Sequence, residues 1–244
     1  MRLRFLGSGD AFGSGGRFNA CFLVETTAST FLVECGASSM IAMRRFHVDP
    51  NRIGTVFVSH LHGDHFGGLP SMILDGQFYS RRTAPLTLVG PPGLGERLTQ
   101  AMEVLFPGSS KVERKFVTEI REIPPDQTVT INGVTVTPYT VQHVCGAPPF
   151  AYRFACDDKV LAYTGDTEWT ESLLAVGRGA DLLIAEALFY ERKVKYHLDY
   201  ATLKASLARI GARRVILTHM GPEMLAHVGD VPEETAEDGK VVEI

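Results

Sequence analysis

The sequence predicts a single α/β (α+β) domain spanning residues 1–244, and three observations carry that expectation. Short runs rich in Val, Ile, Leu and Phe alternate with segments whose apolar residues recur at helical spacing. At 45% hydrophobic and 21% charged residues, the composition is that of a globular protein with one large core, and no linker-like stretch divides it. Histidines and carboxylates gather where the apolar runs end, rather than on a helix face.

Residues 2–6 read as a first strand, followed by the glycine-rich run from Gly7 to Gly16. A dinucleotide-binding loop would open a helix here. Ala20-Cys21-Phe22-Leu23-Val24 instead continues as strand, which makes the run a loop at the mouth of a site. Residues 20–26 and 30–35 form an antiparallel pair, and a short helix over 38–46 is broken by Asp49-Pro50. A buried strand over 55–59 leads into a histidine-rich loop, then a helix over 67–79 and a strand over 86–90. Leu94, Leu98, Met102 and Leu105 mark the core face of the next helix. A strand over 113–121 and a hairpin over 128–141, turned at Asn132-Gly133, then deliver His143. Residues 150–156 and 159–164 pair around Asp157-Asp158 and end in Gly165-Asp166-Thr167. After a helix near 170–177 comes the strand 182–186, then a helix capped by Asp199 with Leu203, Leu207 and Ile210 on one face. The strand 215–218 ends on His219.

Ser59-His60-Leu61-His62-Gly63-Asp64-His65 packs three imidazoles and a carboxylate into six positions directly after an apolar strand. A lone histidine at a strand end is ordinarily satisfied or exposed. Four ligand-type side chains together resist a packing explanation, because burying them unpaired costs several kcal/mol. Alternation aims His60 and His62 into one pocket, and the turn at Gly63 brings Asp64 and His65 to a neighbouring point. Such a geometry suits two metal ions a few ångströms apart.

The string His-x-His-x-Asp-His resembles the signature of the metallo-β-lactamase fold hydrolases. The longer stretch His60-Leu61-His62-Gly63-Asp64-His65-Phe66-Gly67-Gly68-Leu69-Pro70 is similar to the branch that holds the tRNA 3′-processing endonuclease (ribonuclease Z) and related phosphodiesterases. Phe5-Leu6-Gly7-Ser8-Gly9 matches the family's opening. The resemblance implies an αββα sandwich, two mixed β-sheets face to face with helices outside. It implies one ion on His60, His62 and His143, a second on Asp64, His65 and His219, and Asp166 bridging them. Zinc suits these donors, with Mn²⁺ or Fe²⁺ as alternatives. A hydroxide held between two cations would be the nucleophile.

The resemblance also assigns chemistry to Glu186 and His197 beside Asp64. In ribonuclease Z-like enzymes a Glu in His-Glu-Ala-Thr orients a His that protonates the leaving oxygen. Here the string is Ala185-Glu186-Ala187-Leu188, and His197-Leu198-Asp199 replaces His-Ser-Thr, so the pair is kept while its neighbours differ. His47 and His227 lie outside these strings and read as surface or structural residues. Arg192-Lys193-Val194-Lys195 reads as a solvated loop within reach of a phosphate, and Trp169 as either a pocket wall or helix packing.

A formal net charge of −4 with scattered basic pairs argues against extended nucleic acid binding. The tRNA-processing enzymes carry an inserted arm after the third histidine ligand, and the 23 positions from His143 to Asp166 leave no room for one. The resulting expectation is a phosphodiesterase acting on a small nucleotide-like or cyclic phosphodiester. Its alternatives are tRNA 3′ processing and acyl hydrolysis of a lactone, thioester or β-lactam on the same metal core. The short spacing also resembles the cyclic-phosphodiester hydrolases of the alkylphosphonate pathway, although Cys21, Cys35, Cys145 and Cys156 show none of their zinc-binding grouping. Cys21 and Cys35 could meet across a hairpin, but no apolar export signal or membrane-spanning run is visible, so reduced thiols in a cytoplasm are expected. A homodimer is expected from the resemblance alone.

Overall fold

The structure is a computed structural model, and it describes residues 1–244. The first half contains strands β1 (Arg2–Gly7), β2 (Cys21–Glu25), β3 (Thr30–Val33), β4 (Thr55–Phe57), β5 (Leu86–Gly90) and β6 (Thr118–Glu122). Helices α1 (Ser39–Arg45), α2 (Gly63–Phe66), α3 (Leu69–Phe78) and α4 (Leu94–Leu105) intervene. The second half contains β7 (Val129–Ile131), β8 (Val134–Thr140), β9 (Phe150–Cys156), β10 (Lys159–Tyr163), β11 (Leu182–Glu186), β12 (Val215–Thr218), β13 (Glu234–Thr235) and β14 (Val241–Glu243). Its helices are α5 (Ser172–Gly177), α6 (Tyr200–Ile210) and α7 (Pro222–Ala226).

Period-two alternation decides which core each side chain enters. Phe5, Phe22, Val24, Phe31, Val33 and Phe57 enter one apolar cluster, while their neighbours Leu6, Leu23, Leu32, Val56 and Val58 enter another with α1, α3 and α4. The first set meets Phe150, Tyr152, Phe154, Leu161, Tyr163, Leu182 and Ile184 of the later strands. On the other face of those strands Ala151, Ala162, Leu183 and Ala185 pack with residues of α5 and α6. Three apolar layers and four structural layers result. The rings between the sheets pack edge to face, Phe57 on Phe154 with centroids 5.1 Å apart and Phe22 on Tyr163 at 5.3 Å. Such contacts add about 0.5–1.5 kcal/mol each beyond burial.

The strand orders are β14-β1-β2-β3-β4-β5-β6 and β13-β12-β11-β10-β9-β8-β7, two seven-stranded mixed sheets. The expected αββα sandwich is therefore borne out. In the second sheet β10, β11 and β12 run parallel, and β8 points the same way because β9 is antiparallel to both β8 and β10. The carboxyl ends of these strands share one edge. The end of β4 joins them there, since Phe150 N–H donates to the Ser59 carbonyl at 3.0 Å and the Tyr152 hydroxyl to the Val58 carbonyl at 2.8 Å.

Three expectations need correction. The histidine loop is partly helical, because the His65 and Phe66 amides both bond the His62 carbonyl at 3.0 Å, so the expected 67–79 helix becomes α3 with α2 ahead of it. Residues 113–117 are not strand. Their side chains and amides are taken by α3, with Phe116 packed at Gly76 and the Lys115 amide donating to Gln77 Oε1 at 2.9 Å. Leu105 at the end of α4 is 54% exposed, while Leu94, Leu98 and Met102 are buried as expected. All four cysteines are free thiols. Asn132 and Gly133 both have positive φ, as the expected tight hairpin turn requires, and Asp199 caps α6 by accepting from the Thr202 amide. No helix is long and apolar enough to cross a membrane.

Candidate metal centre

The candidate residues stand where the strands run out at the shared edge. His60 and His62 follow β4, Asp64 and His65 lie on α2, and His143, Asp166 and His219 follow β8, β10 and β12. Two glycines allow the approach. A Cβ on Gly36 would sit 2.1 Å from the Asp64 carbonyl, and Gly165 adopts φ +60° beside the Phe150 carbonyl to turn Asp166 inward.

Side-chain donor atoms of His60, His62 and His143 lie within 4.8 Å of one another, as do those of Asp64, His65, Asp166 and His219. These are the two groupings that the sequence resemblance implies. His143 Nε2 faces His62 Nδ1 at 3.1 Å. His65 Nε2 lies 3.1 Å from Asp64 Oδ2 and 3.3 Å from Asp166 Oδ1, and His219 Nε2 lies 3.2 and 3.4 Å from Asp64 Oδ2 and Asp166 Oδ2. Asp166 also reaches toward the first group, with His60 Nε2 3.9 Å from its Oδ2.

Two of the outer ring nitrogens have hydrogen-bond partners of their own, and the other two face carboxylates. His143 Nδ1–H donates to the Tyr196 carbonyl at 2.9 Å, and His60 Nδ1 meets Ser59 Oγ at 3.0 Å. His65 Nδ1 lies 3.3 Å from Glu34 Oε1 and His219 Nδ1 3.6 Å from Glu186 Oε1, each facing a carboxylate without a hydrogen bond to it. Metal-ligating histidines are ordinarily oriented this way. Inside the ring of donors, His60 Nε2, His65 Nε2 and Asp166 Oδ1 are buried without a hydrogen bond. An unsatisfied buried polar atom costs about 1–3 kcal/mol. Divalent cations would satisfy all three at once, so this His/Asp donor set fits the metal ions that the sequence implies.

The charges agree with that fit. Burial, helped by the neighbouring imidazoles, holds His60, His62 and His143 below the usual histidine range, leaving neutral rings with free lone pairs. Burial opposes charging His65 and His219 too, but Asp166 and Asp64 outweigh it and push His219 up to about 9 and His65 well above its ordinary value.

Glu186 and His197 meet at the rim. His197 Nδ1 lies 2.5 Å from Glu186 Oε1, and Glu186 Oε2 accepts from the Thr167 and Leu198 amides at 2.8 and 3.2 Å. His62, Asp64, Asp166, His197 and His219 line one cavity of about 220 Å³ with Asp10, Ala11, Phe12 and Leu188. His197 is shared with a second depression of about 280 Å³, walled by Trp169, Lys193 and Lys195. Arg192 instead lies over the Phe189 ring and pairs with Glu223 at 3.5 Å. His47 is exposed and His227 stacks on Tyr190 with centroids 4.2 Å apart, both away from the site.

Glu34 escaped the sequence reading. It is fully buried, accepts from the Ser59 amide at 3.1 Å and backs His65. Glu34, Tyr196 and His219 all carry positive φ, at 66°, 70° and 57°. Non-glycine residues pay of order 1–3 kcal/mol for such conformations, which concentrate at functional sites. The signal available in sequence was a carboxylate closing an apolar strand before Cys35-Gly36.

Ribonuclease Z of Bacillus thuringiensis (strain Al Hakam) is 27% identical over 299 aligned positions, covering 98% of this chain and 94% of that protein. The crystal structure of the short form of human tRNase Z superposes with a TM-score of 0.82 at 22% identity, covering 100% of this chain and 99% of that one. A diphosphatase from the PhnP family does so with a TM-score of 0.80 at 18% identity, covering 100% and 97%. The recognition made from the histidine motif is borne out: the chain is a metallo-β-lactamase fold, ribonuclease Z-like, metal-dependent hydrolase. A family model described as Anti-Pycsar protein Apyc1 matches residues 1–239, and the chain belongs to that family.

Proposed function

We propose that this hydrolase is a phosphodiesterase that holds two divalent ions and opens a small nucleotide-like or cyclic phosphodiester. The observation that carries the reading is the Glu186–His197 pair on the rim of the His/Asp donor set. His60, His62 and His143 would hold one ion, Asp64, His65 and His219 the other, and Asp166 both, with zinc favoured by the donors. Bound ions supply Lewis-acid neutralisation of the phosphoryl oxygens and an activated water.

The chain's own residues do the rest. Glu186, pinned by two backbone amides, accepts from His197 Nδ1–H and fixes the tautomer in which Nε2 is turned away from it. His197 also borders the cavity that Asp64 and Asp166 line, so Nε2 is available to hold a proton for the departing oxygen. Substrate size is limited by the connection after His143. The loop to Pro149 and the β9–β10 hairpin use the whole span to Asp166, which leaves no arm to clasp a folded RNA. The net charge of −4 favours a small diester over a polyanion.

The alignment with ribonuclease Z covers 98% of the chain and makes RNA 3′-end processing the second reading. That alignment spans 299 positions against a chain of 244, so the relative carries sequence this chain lacks. Zinc-loaded protein assayed on nucleoside cyclic monophosphates, short dinucleotides and a precursor tRNA separates the two. Rapid opening of a small diester with intact tRNA is expected. Efficient trimming of the tRNA with inert small diesters would overturn the reading.

A further inference from the structure

We infer that Phe12 is a stacking platform for a flat aromatic base carried by the substrate. This rests on the phosphodiesterase reading and extends it, because it names the part of the substrate that does not react. Phe12 is 94% exposed, the most exposed large apolar side chain of the protein, and it belongs to the wall of the cavity lined by His62, Asp64, Asp166, His197 and His219. An aromatic ring left in water forgoes the stabilisation that burial would give it.

The loop that presents the ring is held in place. Asp10, only 3% exposed, accepts from the Phe12 amide at 3.2 Å, the Ser14 amide at 2.9 Å and Ser14 Oγ at 2.6 Å. Asn19 Nδ2 donates to the Asp10 carbonyl at 3.0 Å and ties the loop to the start of β2. A clamped loop pays its ordering cost before the ligand arrives. An aromatic side chain carried on this clamped loop at the mouth of a site that would neutralise a phosphate matches a ligand with a phosphate at one end and a planar ring at the other. Stacking is tolerant of which ring, since every base has a π-face.

The test compares kcat/KM on a nucleoside cyclic monophosphate with kcat/KM on the cyclic phosphate of methyl riboside, which has no base. Base–aromatic stacking lost on alanine substitution corresponds to roughly 5- to 150-fold. The nucleotide-over-riboside ratio is expected to fall by that factor in Phe12→Ala, to stay low in Phe12→Leu, and to return in Phe12→Trp. Calorimetric binding of a nucleoside 5′-monophosphate should weaken in the same order. An unchanged ratio in Phe12→Ala, or an altered oligomeric state with an unchanged ratio, would overturn the proposal while leaving the phosphodiesterase reading intact. If wild-type protein opens neither compound, that underlying reading falls and takes the proposal with it.

Discussion

Replacing His197 with alanine removes the imidazole whose Nδ1 lies 2.5 Å from Glu186 Oε1, and leaves the other Glu186 oxygen with its two amide donors. The carboxylate therefore stays in place, and the His/Asp donors, none of which hydrogen-bonds to His197, keep their arrangement. On the proposed role of His197, what disappears is the proton for the departing oxygen. General acid catalysis contributes about 10²–10⁴-fold, and the loss should be of that size for a diester whose leaving group is an ordinary alcohol. A p-nitrophenolate leaves without a proton, so the same variant should lose less than about 10-fold on a p-nitrophenyl diester. Steady-state kinetics on both substrates, at metal content verified by elemental analysis, gives the two factors. Equal losses on both substrates, or an intact rate on the alcohol diester, would refute the acid role.

Zinc should raise the melting temperature: ions at about 1,000 times Kd add about 4 kcal/mol, or on the order of 8–16 °C for a chain of this size, and chelator should reverse it. His60→Ala should abolish most of that shift in a thermal melt. Glu34→Gln takes a carboxylate from behind His65 and should weaken zinc binding about 10–100-fold in a competition titration. Glu234 has its carboxyl pulled from 4.5 down to about 2 by the Arg214 guanidinium, with Lys240 assisting against slight burial. A depressed carboxylate stabilises the fold above its unfolded pKa, so that contribution is full above about pH 4.5 and lost as pH falls toward 2. Denaturant melts of Glu234→Gln should show a shallower loss of stability across that window, small in size because the side chain is 40% exposed.

Much of the fold was legible because strand alternation writes both faces of a sheet into the chain, as Phe22 and Leu23 or Phe31 and Leu32 illustrate. The His60–His65 string was legible because its ligand types are crowded beyond any packing need. Four features were hidden for physical reasons. The helical turn at Gly63–Phe66 is set by contacts with Gly36 and Cys35, distant in sequence. Residues 113–117 look like strand but are claimed by side chains of α3. Glu34 faces His65 only because its own φ is positive, which no local pattern announces. The exposure of Phe12 was likewise invisible, since a phenylalanine in sequence reads as core.

The central claim is that a metal-loaded His/Asp cluster hydrolyses phosphodiesters, and one comparison tests it directly. Turnover of bis-p-nitrophenyl phosphate should be measured beside the monoester, a lactone and a chromogenic β-lactam, on protein of known metal content. The account predicts diester hydrolysis that vanishes with chelator and returns with Zn²⁺ or Mn²⁺, with slow turnover of the other three. Selective acyl hydrolysis with an inert diester would contradict it and leave Glu186 and His197 without the role assigned to them.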